Sequence, residues 1–193
     1  TTDALAEYKN KDYVGFTFDG NLTTPTGEIK VLPDGSLVID LYYTRNSYEV
    51  TLTKGEYIDS VSGAKTYKYG EEVTISAEVV TGAGYTYAFE TWSGDTEVLE
   101  DATSNPATFT MPAENVELEA IGTRTARTDT AYIVNHNQEQ LDGSYIVFET
   151  ENLTGTTDEL ATYTTKTYEG FTFDSQATKP TGEIKVLPDG SLV

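Results

Sequence analysis

The sequence predicts a mainly β protein with one short helix, built as part of a tandem-repeat array. Three observations predict this: apolar and polar residues alternate with period two along most of the chain, glycine-bearing turns recur at short intervals, and the chain ends by restating its own opening. Residues 156–193 (TTDELATYTTKTYEGFTFDSQATKPTGEIKVLPDGSLV) repeat residues 1–38 (TTDALAEYKNKDYVGFTFDGNLTTPTGEIKVLPDGSLV) without a gap, and 28 of 38 positions are identical. One full period of 155 residues is followed by the first quarter of the next. The identities include Glu28, Lys30 and Asp34, surface-type residues that core packing does not dictate. A tandem array explains them better than a duplication inside one compact protein.

From the N-terminus, Thr1 to Tyr8 and its repeat Thr156 to Thr164 carry the only helical signal, a Thr or Asp cap ahead of helix formers such as Leu160 and Ala161. The runs are short and Thr-rich, enough for about two turns. In the next element Leu37, Ile39, Leu41 and Tyr43 fall on one face of a strand, with Asp40 and Thr44 opposite. Further strands are expected at Tyr48 to Thr53, Val73 to Val79, Tyr85 to Trp92, Ala107 to Met111, Val116 to Ile121, Ala131 to Asn137 and Ser144 to Glu149. Turns at Asp19-Gly20, Asp34-Gly35, Ser62-Gly63, Ser93-Gly94, Asp142-Gly143 and Asp189-Gly190 separate them.

Three segments follow: residues 1–45, an all-strand middle segment over 46–124, and residues 125–193. The last runs strand, Asp142-Gly143 hairpin, strand, short helix, strand and a further hairpin; its closing strand is visible only in the first copy, as Ile39 to Arg45. A hairpin, one helix and further strands in about 75 residues is the order of a β-grasp, with the helix covering one face of a small sheet. Thr123 to Asp129 reads as a short linker.

Composition excludes several chemistries. The net charge is −20, from 32 acidic and 12 basic residues, with a pI near 4.1, so there is no basic surface to neutralise phosphates or anionic lipid headgroups. Nucleic acid is not an expected partner, and no apolar run is long enough for direct membrane insertion. The absence of cysteine removes disulfides, thiolate metal sites and thiol nucleophiles. His136 is the single histidine, on an expected strand; it cannot supply a His-based metal cluster and has no Ser/His/Asp arrangement around it. The Asp-Gly pairs lack the alternating spacing of a calcium loop, and turn geometry accounts for them. No catalytic, metal or cofactor-binding residue is expected, and no cofactor. The one covalent device weighed is a Lys-Asn isopeptide bond, for which Lys54, Asn115 and Glu72 form the candidate set in the middle segment.

The run TAYIVNHNQEQLDGSYIVFETENLTGTTDELATYTTKTYEGFTFD, continued by GEIKVLPDGSLV and completed by IDLYYTRNSYEV, resembles the mucin-binding-protein (MucBP) repeat and the related internalin B-repeat of Gram-positive surface proteins. The middle segment, with SVSGAKTYKYGEEVTISAEVVTGAGYTYAFETWSG and NPATFTMPAENVELEA, resembles the divergent B-repeat found beside such domains. The resemblance implies that residues 1–45 are the C-terminal part of a MucBP-like β-grasp repeat, 46–124 an all-β divergent B-repeat, and 125–193 a MucBP-like repeat lacking its last strand. It further implies an extracellular, cell-wall-attached adhesin, and brings no catalytic residues with it.

The function expected from these readings is that of a non-catalytic stalk or spacer, with neighbouring repeats of the same protein as head-to-tail partners. The alternative is a weak, multivalent binder of host mucin or glycan. Sugar-binding surfaces use flat aromatic faces, and Tyr42, Tyr67, Tyr69 and Trp92 are the candidate contacts. Alternation turns about half of such rings inward, and Trp92, ahead of Ser93-Gly94, fits a core plug better than a sugar platform.

Overall fold

The structure, a computed structural model, describes all of residues 1–193. It contains eleven strands and a 3-10 turn at Thr96–Val98. The strands are β1 (Phe16–Thr24), β2 (Asp40–Arg45), β3 (Ser47–Lys54), β4 (Ile58–Ser62), β5 (Lys65–Lys68), β6 (Glu72–Val79), β7 (Tyr85–Gly94), β8 (Ala107–Thr110), β9 (Val116–Ala126), β10 (Thr130–Glu139) and β11 (Tyr145–Gly155). The chain divides into two compact units, one of Thr1–Glu78 with Phe89–Ile121 and the other of Val79–Ala88 with Gly122–Val193.

In the first unit the alternation read from the sequence becomes a core. Val73, Ile75 and Ala77 on β6 are buried while Glu72, Thr74 and Glu78 are exposed, and Val116, Leu118 and Ala120 on β9 repeat the pattern around Glu117 and Glu119. The strands form a four-stranded sheet in the order β5-β3-β9-β7 and a three-stranded one in the order β4-β6-β8. Strand β3 pairs antiparallel with β5 and parallel with β9, with Val50 opposite Val116 and Lys54 opposite Ala120. Trp92 is 2% exposed; its indole Nε1–H donates to the Ser104 carbonyl at 3.1 Å and its ring centre lies 5.5 Å from that of Phe89. The same unit holds the antiparallel pair β1-β2, in which Phe16 faces Arg45 and Phe18 faces Tyr43.

The second unit is organised by the β10-β11 hairpin, paired from Thr130 opposite Gly155 to Glu139 opposite Tyr145, with a register shift between His136 and Asn137. Tyr132 on β10 packs with Val186 and Leu192 of the C-terminal segment, and Val134, Leu153, Ala161 and Ile184 surround them. Two buried hydroxyls satisfy one another, Thr130 Oγ1 and Thr157 Oγ1 at 2.7 Å.

Neither expected helix forms. Thr156 to Thr164 and Thr1 to Tyr8 run as irregular, extended segments, tied to the rest of the repeat by isolated bridges from Leu160 to Lys185 and from Leu5 to Lys30. A two-turn Thr-rich helix has little propagation to offset its nucleation cost. Here its backbone groups find longer-range partners: Asp158 N–H bonds to Val186 O and Ala161 N–H to Ile184 O, while Val186 N–H bonds to Glu159 O. Asp158, at φ 65°, and Asp3, at φ 61°, turn the chain left-handed where a helix would begin. The helix that would cover a β-grasp sheet is therefore replaced by a strap. The expected linker is corrected as well, since β9 continues as strand to Ala126 and leaves three residues before β10. In that gap the Arg127 guanidinium grips the Asp129 carboxylate through Nε at 2.9 Å and Nη2 at 2.8 Å.

Candidate interaction surface

The two copies of the repeated segment adopt the same backbone contacts. Asp3 N–H to Val31 O, Ala6 N–H to Ile29 O and Val31 N–H to Ala4 O reappear in the second copy, each shifted by the 155-residue period, as the three bonds of the strap. The Leu-Pro-Asp-Gly-Ser turn repeats too, with Gly35 N–H on Leu32 O and Gly190 N–H on Leu187 O. In each the Asp carboxylate caps its own turn by accepting from the backbone N–H of Ser36 or Ser191, and the serine hydroxyl first, then that N–H, holds Asp34 and Asp189 below the usual carboxylate range.

What differs is the company each copy keeps. In the second copy, Val186 and Leu192 lie under the β10-β11 hairpin, and Ile133 N–H bonds to Leu192 O at 2.9 Å. Their counterparts in the first copy have no such cover: Val31 is 36% exposed against 1% for Val186, and Leu37 is half-buried. The first copy instead pairs its Phe-Thr-Phe-Asp strand with β2, where Tyr43 meets Phe18 at 5.6 Å and Tyr13 at 4.8 Å between ring centres. The identical Phe-Thr-Phe-Asp at 171–174 forms no strand, leaving Phe171 45% and Phe173 52% exposed.

A charged cluster joins the strap of the second unit to its hairpin. Glu149 and Glu151, two apart and so on one face of β11, both take the Lys166 ammonium, at 2.6 Å for Glu149. Tyr168 donates its hydroxyl to the other Glu149 oxygen at 2.8 Å, and His136 Nε2, a buried nitrogen without a hydrogen-bond partner, lies 3.5 Å from Glu151. Lys166 draws both carboxylates below their usual range, and they in turn push Lys166 up. Burial first, then the bond to Glu149, raises the Tyr168 phenol. Both carboxylates are held ionised, which disfavours general-acid chemistry, and what they do in the structure is tie the segment carrying Lys166 and Tyr168 to the hairpin. The sequence signal for it was Glu-x-Glu on a strand, which alternation alone leaves unpartnered.

The residues singled out from the sequence do not converge. Tyr67 is buried, with its hydroxyl on the Gly63 carbonyl at 2.8 Å, and Trp92 plugs the core of the first unit. Tyr69 is half-buried, its ring centre 5.8 Å from that of Phe16, and its carbonyl accepts from Arg45 Nη1. Of the four aromatic candidates, Tyr42 alone presents an open face, at 45% exposure. Lys54 donates to the Asp59 carbonyl at 3.0 Å, and Asn115 Oδ1 accepts the Glu49 N–H at 2.9 Å. The register of β3 on β9 places these two about five residues, or roughly 17 Å, apart along the sheet, beyond reach of an isopeptide bond. An open cavity of about 370 Å³ lies in the second unit between Leu160, Tyr163, Thr178, Pro180 and Ile184. No helix is long and apolar enough to cross a membrane.

The alternation of β3, β6 and β9, the buried Trp92 and the turn at Ser62-Gly63 all lie in one part of the chain. Residues 48–126 match the divergent InlB B-repeat domain family. The matched segment begins one residue into β3 and ends with the last residue of β9, so its first and last strands are the parallel pair. Residues before 48 and after 126, including both copies of the repeated segment, lie outside the match. No curated protein and no solved structure gave a significant match.

Proposed function

We propose that this chain is part of an extracellular surface-protein array, in which B-repeat domains alternate with MucBP-like repeats and act as a non-catalytic, tension-bearing spacer. The segments are 1–45, 46–124 and 125–193, the middle one close to the family match over 48–126. The observation that carries the reading is the pairing of the B-repeat domain's terminal strands. Because β3 and β9 are adjacent and parallel, tension applied at the two ends of the domain slides one strand along the other and loads the pairs from Val50–Val116 to Lys54–Ala120 together. A protein whose work is to span distance under load gains from such a clamp. The repeated segment gives the array its period, and the net charge of −20 keeps neighbouring stalks apart. Attachment to a Gram-positive cell wall and an adhesive head elsewhere in the parent protein belong to the same proposal.

The competing reading, a mucin or glycan binder, keeps only Tyr42 open among the four rings expected to make the contact, so those four form no shared sugar platform, and the acidic surface does not favour sialylated or sulfated glycans. A panel of mucins and neutral, sialylated and sulfated glycans separates the two. The spacer reading expects no saturable binding by the chain; saturable binding that Tyr42→Ala abolishes would establish the binder instead.

A further inference from the structure

We propose that residues 171–174 are a docking edge for a second copy of the strand Asp40–Arg45, joined after Val193 as Ile39 is joined after Val38, and that this strand completes the repeat. The inference rests on the array reading above and adds the register. In the first copy, Phe16, Thr17, Phe18 and Asp19 face Arg45, Thr44, Tyr43 and Tyr42, and Asn46 closes the pair by giving its N–H to the Gly15 carbonyl at 2.8 Å. The second copy carries the same four residues as Phe171, Thr172, Phe173 and Asp174, behind the same glycine, Gly170, whose φ of 81° matches the 76° of Gly15. Donors, acceptors and rings are thus in place and the chain there is not in a strand.

The occupant is identified by what the twin segment holds. Tyr43 packs edge-on against Phe18 and Tyr13, and the Arg45 guanidinium lies over the Phe16 ring at 5.0 Å. Phe173, Tyr168 and Phe171 are the counterparts of those three rings. Two of them are the exposed phenylalanines described above, while Tyr168 already packs on the hairpin through Phe148, ring centres 5.3 Å apart. A docked strand would therefore reach a ring already seated on β11, and hairpin, repeated segment and closing strand would share one core. An unpaired edge flanked by exposed aromatic rings is what strand addition uses, backbone bonds giving affinity and alternate side chains giving register.

The test extends the full chain after Val193 by the sequence of Ile39 to Asn46 and follows hydrogen exchange at the amides of 171–174. Slowing by at least about tenfold is expected relative to the unextended chain. A second extension, with proline in place of the Tyr43 copy, should leave those amides fast, and retained protection across β10-β11 in all three proteins confirms that each is folded. No slowing with the native extension, or equal slowing with the proline version, overturns the proposal. Concentration-dependent protection of 171–174 in the unextended chain would overturn it too, by showing that the edge is filled by another molecule. None of these results touches the spacer reading, which is judged by glycan binding and by force.

Discussion

Trp92→Ala is expected to cost the first unit about 3–5 kcal/mol, a large share of the roughly 5–15 kcal/mol that holds a domain of this kind together. The side chain is the largest buried one, and its replacement removes the packing against Phe89 along with the anchor of the following loop. That loop is tied down at two points, Trp92 N–H on Ala102 O at 2.8 Å and the indole on Ser104 O at 3.1 Å. The second tie is lost in the variant, leaving a carbonyl whose partner came from the core. Trp92→Phe keeps most of the packing and loses only the indole bond, so it should fall about 1–3 kcal/mol below the native chain. Because Trp92 is the sole tryptophan, the comparison is made by calorimetry. Equal melting of the native chain and the alanine variant would refute its role as the core plug.

Gly63→Ala should destabilise by about 2–6 kcal/mol, from backbone strain and overpacking together. Gly63 has a φ of 106°, and a Cβ there would lie 2.4 Å from the Thr74 carbonyl oxygen and 3.1 Å from the Ile75 Cα, both on the buried strand β6. Backbone atoms in a sheet have nowhere to retreat. Gly143→Ala is the matched control, since φ there is also positive, at 83°, but nothing lies within 4 Å of the added carbon. Only conformational strain of about 1–2 kcal/mol is expected at that turn. Similar losses in denaturant melts of the two variants would contradict the close approach of Gly63 to β6.

Most strands could be read from alternation, because β6, β9 and β10 each bury one face, and burial is what makes period two visible. Strands β4 and β5 escaped notice for the converse reason. Ile58–Ser62 and Lys65–Lys68 are short and bury one side chain fully in each, Ile58 and Tyr67, so their sequences carry almost no pattern. The helices were misjudged because local propensity at Thr156 to Ala161 competes with carbonyls that lie far away in sequence, at Ile184 and Val186. The same limit hid the cluster of Lys166, Glu149, Glu151 and Tyr168, whose members come from a hairpin strand and an irregular strap that no periodicity links. The repeat itself was fully legible, since identity over 28 of 38 positions needs no structure to be seen. Which residues cover each copy could be read only from the pairing of β1 with β2 and the seating of the hairpin on Val186.

A tension-bearing spacer must resist force. In a tandem polypeptide of three or more copies of residues 1–155, every internal junction rebuilds the Gly155–Thr156 connection with a closing strand downstream. Stretched one molecule at a time, such an array should give a regular series of unfolding peaks, two per period, each releasing roughly 20–25 nm of chain. The segment 48–126 should supply the stronger peak of each pair, and a proline at Leu52, in the middle of the β3-β9 pairing, should lower that peak and leave the other in place. Smooth extension without peaks, or a stronger peak indifferent to that proline, would contradict the account.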